Sequence, residues 1–127
     1  MKPKLVVVVN GAKILEYDRN QRLPGLQLRF LDDMDAKLDS GIRLGEERIE
    51  SPDLLQRAQY VANTMINALF DEQDNVAGAM CTWLANRLPE LQQVRAQGNE
   101  QDMAIELVFD RSYEESAMER PVQFFRN

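Results

Sequence analysis

The sequence predicts a small α+β domain, in which an antiparallel sheet made of an N-terminal β-hairpin and a C-terminal strand packs against about three helices. Three observations lead there. Asn10-Gly11 stands between two β-prone runs; apolar residues then recur at helical spacing through the middle of the chain; and strict alternation returns from Met103 to Phe109.

Leu5-Val6-Val7-Val8-Val9 precedes Asn10-Gly11, and Ala12-Lys13-Ile14-Leu15-Glu16-Tyr17 follows it. Asn-Gly is the preferred centre of a type I′ turn, because both residues tolerate positive φ. A regular hairpin through that turn sets Val9 opposite Ala12, Val7 opposite Ile14 and Leu5 opposite Glu16. The first strand is apolar on both faces, which suits a central or covered position.

Leu23-Pro24-Gly25 breaks the chain before a first helix over 25–39, with Leu26, Phe30, Leu31, Met34 and Leu38 inward. Gly41 is placed to stop it. Residues 42–50 read as a loop or minor hairpin. Ser51-Pro52-Asp53 announces a second helix, with Ser51 as its cap, Pro52 at the first helical position and Asp53 against the dipole. Its stripe runs Leu54, Leu55, Ala58, Val61, Ala62, Met65, Ile66, Leu69. Asp74 or Asn75 caps a third helix, with Val76, Met80, Trp83, Leu84, Leu88 and Leu91 inward, a break at Pro89 and an end at Gly98. Met103, Ile105, Leu107 and Phe109 form one face of the last strand. Residues 1–110 thus make one domain. Residues 111–127 make a polar tail whose 122–125 segment could dock as an edge strand.

Composition narrows the function. The chain has 127 residues, 44% hydrophobic and 28% charged, with a formal charge of −6. These are the proportions of an ordinary soluble domain. An acidic balance disfavours nucleic acid, whose affinity comes from Lys and Arg neutralising phosphates; Arg19 and Arg22 are the densest basic pair in the N-terminal half. One cysteine, Cys81, suits a reducing compartment. The apolar run at the N-terminus is too short for a signal peptide or a span of about 20 residues. The expectation is a cytoplasmic protein with no membrane partner.

Histidine is absent, which removes the commonest general base and metal ligand. No glycine-rich phosphate loop occurs. No catalytic, cofactor-binding or metal site is therefore assigned. Asp32, Asp35 and Asp39 share a helix face but read as solvated charge. Cys81 and Trp83 read as core. Glu46, Glu47 and Glu50 with Tyr17, Tyr60 or Tyr113 have the residue types for acid–base work, but no pattern brings any two together.

Two surfaces stand out. The outer side of the second helix carries Gln56, Gln59, Tyr60, Asn63, Thr64 and Asn67, with no charge between Arg57 and Asp71. Interface cores are depleted in charge and enriched in Tyr. The tail carries Val122, Phe124 and Phe125, which are costly to expose. Gln56, Tyr60, Asn63, Asn67, Val122, Phe124 and Phe125 are thus candidate interface residues. The functional expectation is a non-catalytic adaptor or regulator that binds a protein or a second copy of itself. The alternative is a small enzyme or ligand-binding domain using carboxylates, Tyr and Arg in a pocket.

Overall fold

The computed structural model describes residues 4–20, 25–99 and 101–119. The fold is α+β: a four-stranded mixed sheet, a two-stranded sheet and four helices among those residues. The chain divides into two compact units, one made of residues 1–20 and 88–127, the other of 21–87. Among the described residues no helix is long and apolar enough to cross a membrane.

The first unit holds β1 (Leu5–Val9), β2 (Ala12–Tyr17), β5 (Gln93–Asn99), β6 (Asp102–Val108) and α4 (Tyr113–Glu119), with strand order β2-β1-β5-β6. The expected antiparallel sheet is in fact mixed, because β1 pairs with β5 in parallel. Leu5, Val6, Val7 and Val8 are all buried, as a two-faced apolar central strand requires. The turn is as expected, with φ of 50° at Asn10 and 84° at Gly11. Its Asn10 amide also brackets β5, donating to Gly98 O at 3.0 Å and accepting from Gly98 N at 2.9 Å. Asn10→Gly keeps the turn but loses both bonds. It should lower stability by about 1 kcal/mol in urea unfolding.

The hairpin register departs from the regular one. Val8 faces Lys13, but Val7 faces Leu15 and Leu5 faces Tyr17, so Ile14 is an extra, exposed residue in a bulge. The bulge places Lys13 and Glu16, three residues apart, on one face. There Glu16 takes Lys4 Nζ at 2.9 Å and Lys13 Nζ at 3.1 Å. The hydrogen-bonded Lys4 ammonium, with Lys13 beside it, holds the Glu16 carboxyl below its usual range; Glu16 in turn raises Lys4.

Strand β5 falls where the sequence suggested only the end of a helical segment. Its apolar signal is just Val94 and Ala96, alternating with Gln93, Arg95 and Gln97. Gln93 is nonetheless fully buried, because its amide is satisfied. Its Nε2 donates to Ser116 Oγ at 2.9 Å and to Arg111 O at 3.2 Å, and its Oε1 accepts from Arg95 Nη1 at 2.6 Å. These bonds lay α4 on the Gln93 face, where Lys13 Nζ also sits 5.6 Å from the Tyr113 ring centre. Helix α4 occupies part of the stretch read as a polar tail. Its start is a reciprocal cap, Ser112 Oγ with Glu115 N and Ser112 N with Glu115 Oε1. Arg19 is buried, and its Nη2 donates to Leu91 O at 2.6 Å and Leu88 O at 2.9 Å, fixing the turn that leads into β5.

The second unit holds α1 (Gly25–Asp39), the small hairpin β3 (Ile42–Leu44) with β4 (Glu47–Ile49), α2 (Leu54–Phe70) and α3 (Asp74–Arg87). Helix α2 begins two residues later than expected. Asp53, not Ser51, is the cap, and its carboxylate accepts from Gln56 N while Gln56 Oε1 accepts from Asp53 N. Pro52 therefore precedes the helix. Ala58, Val61, Ala62, Met65 and Ile66 are buried as the stripe implies, whereas Leu54 and Leu55 are more than half exposed. In α1, Leu31, Met34 and Leu38 are buried, but Leu26 (80% exposed) and Phe30 (39%) are not. Helix α3 stops at Arg87, just ahead of Pro89.

Candidate functional site

The helical unit carries a groove of about 240 Å³ that includes Phe30 and Met34 of α1, Tyr60, Val61 and Thr64 of α2, and Met80 of α3. Among the described residues Lys37 is the one charge in its lining. The local sequence explains why it is open. Thr64 turns its hydroxyl back to the Tyr60 carbonyl, at 3.0 Å, so its donor is already taken within α2. Phe30 occupies a core-like position in the α1 period, yet leaves part of its ring in solvent at the rim. It also edges a neighbouring depression of about 410 Å³, bordered by Asn75, Gly78, Ala79 and Thr82 of α3. Aromatic and methionine side chains with one cation make a surface suited to apolar anchors of varied shape.

Of the candidate residues on α2, Tyr60 alone lines this groove. Gln56 is committed to its own helix cap, and Asn63 and Asn67 are exposed on the outer side. Val122, Phe124 and Phe125 lie outside the described residues. Sequence reasoning passed over Phe30 and Met80 as core. The available signal was that α1 spreads Leu26, Leu28, Phe30, Leu31 and Met34 over more than one face, which one buried stripe cannot absorb.

A second, more open cleft of about 370 Å³ is bordered by Asp35, Pro52, Leu54, Arg57, Trp83 and Arg87. Here the acidic row of α1 finds its partners. Arg87 Nη2 meets Asp35 Oδ2 at 2.7 Å and Asp32 Oδ1 at 3.2 Å, and Arg57 Nη2 meets Asp39 Oδ1 at 2.6 Å. Trp83 Nε1 donates to Asp35 Oδ1 at 2.8 Å. The three aspartates thus tie α1 to α2 and α3, and each guanidinium in the cleft already faces a carboxylate. Among the described residues no cluster of three or more acidic or cysteine side chains is arranged to hold a metal ion. Glu46, Glu47 and Glu50 are exposed on the β3–β4 hairpin segment, and Cys81 is buried in α3.

Against known proteins, the chain matches no family model, no curated protein and no solved structure.

Proposed function

We propose that this chain is a non-catalytic interaction protein, an adaptor or regulator, and that the α1–α2–α3 groove is its recognition site. One observation carries the reading: Phe30, Met34, Tyr60 and Met80 converge on an open apolar groove whose one charge is Lys37. Among the described residues, the lining is mostly apolar around Lys37 and Tyr60. It offers what apolar anchors on a partner chain need, with a tyrosine and methionines able to repack around them. Lys37 favours a segment that carries an acid beside its apolar residues. A buried lone cysteine fits a reducing, cytoplasmic setting.

The competing reading, a ligand-binding domain using Arg and carboxylates, has its footing in the Arg57–Arg87 cleft. The ion pairs there must first be broken to release either guanidinium, which makes it the weaker proposal.

Panning a displayed random-peptide library against the intact chain tests the groove. Enriched peptides should share two or three apolar positions with a nearby Asp or Glu. They should lose at least tenfold in affinity against Met80→Asp, and be displaced by no metabolite. Failure to enrich any peptide, or equal binding to the variant, would sink the proposal.

A further inference from the structure

We propose that β6 is a self-association edge, pairing antiparallel with β6 of a second copy in a register centred on Ile105. Strand order leaves β2 and β6 at the two edges of the four-stranded sheet among the described residues. Exposed edges are usually blunted by bulges, lysines or prolines. Edge β2 has such devices, the Ile14 bulge and Lys13. Edge β6 has none: Asp102–Val108 pairs with β5 without a break and contains no Lys, Arg or Pro. Met103, Ile105 and Leu107 line one of its faces and are only half-buried.

Charge selects the register and the partner. Centred on Ile105, a twofold pairing sets Ile105 opposite its own copy, Met103 opposite Leu107, Ala104 opposite Glu106 and Asp102 opposite Val108. Every pair on the Ile105 face is apolar, and no like charges meet. Moving the centre to Ala104 brings Asp102 against Glu106 on both sides. Moving it to Glu106 brings that carboxylate against itself. Opposed like charges destabilise a strand pair. Within its own chain Glu106 stands opposite Arg95 of β5 in the strand register. The Ile105-centred register is the one that pairs the whole of β6 with itself, Asp102 through Val108, without opposing two carboxylates, and that self-complementarity points to a second copy rather than to an unrelated strand.

Ala104 is exposed and decides the test, because in this register it alone faces Glu106 of the other copy. Sedimentation equilibrium of the full chain at low salt should show a monomer–dimer equilibrium. Ala104→Glu should weaken it at least tenfold, through two new opposed carboxylate pairs. Ala104→Lys should tighten it, and added salt should erase the gain. Unfolding midpoints at dilution identify any variant that fails to fold; should Ala104→Glu do so, Ala104→Lys decides alone. A chain that stays monomeric at every concentration overturns the proposal. A dimer that both substitutions leave unchanged, or shift in the same direction, overturns it too. Met80→Asp should leave the dimer intact, so this pairing and the groove proposal stand or fall separately.

Discussion

Replacing Trp83 with alanine should lower the unfolding free energy by about 3–5 kcal/mol, as removal of a large buried aromatic does. Trp83 is 1% exposed, in α3, and its indole N–H reaches Asp35 of α1. Two losses combine. The indole volume leaves a cavity, and Asp35 loses the N–H bonded to its Oδ1, which steadies the carboxylate whose Oδ2 meets Arg87. Trp83→Phe separates them by keeping most of the volume and removing only the donor, so it should cost less than half as much. Urea unfolding followed by circular dichroism measures both. A loss under about 1 kcal/mol for the alanine variant would mean that the site collapses around the gap.

Arg19→Met should cost about 2–3 kcal/mol, the scale of a buried hydrogen bond from a charged donor. The Leu88 carbonyl keeps Leu91 N–H at 3.0 Å, so the Leu91 carbonyl suffers most. Methionine retains much of the stem volume, so the cost reports the lost donors rather than a cavity. Because the 88–91 turn delivers the chain into β5, the loss should also appear locally. Amide exchange at Val94 and Ala96 should accelerate more than at Val61 or Met65 in the other unit. Equal acceleration in both units would show that Arg19 does not act through this turn.

Much of the fold was legible because local and tertiary forces agreed. Asn10-Gly11, the α2 stripe and the Met103–Leu107 alternation each pointed to the element that forms. Where sequence reading fell short, a polar residue had found a partner that no periodicity reports. Gln93 and Arg95 make β5 read as the end of the third helical segment, yet their amide and guanidinium bond each other, and Gln93 also reaches Ser116. Arg19 looks like surface charge but is buried against backbone carbonyls. Two helix starts were in plain view as Asp53-x-x-Gln56 and Ser112-x-x-Glu115, both capping-box spacings. Of the site, Tyr60 was legible from its uncharged surroundings on α2. Phe30 and Met80 were not, because helical spacing marks a face as apolar without saying whether anything covers it.

The pairing of Val6 with Gln93 also constrains how the molecule can be made. A nascent chain presents β1 before the whole of the helical unit, and only afterwards the strand that β1 must join. Until β5 follows, the valine-rich hairpin has no third strand, and an isolated hairpin is marginally stable in water. The sheet accordingly forms late, by a long-range closure, while Val6 and Val8 wait exposed. Chaperone capture of this segment on the ribosome, rather than slow folding of the helices, is where production of this protein would be most easily lost.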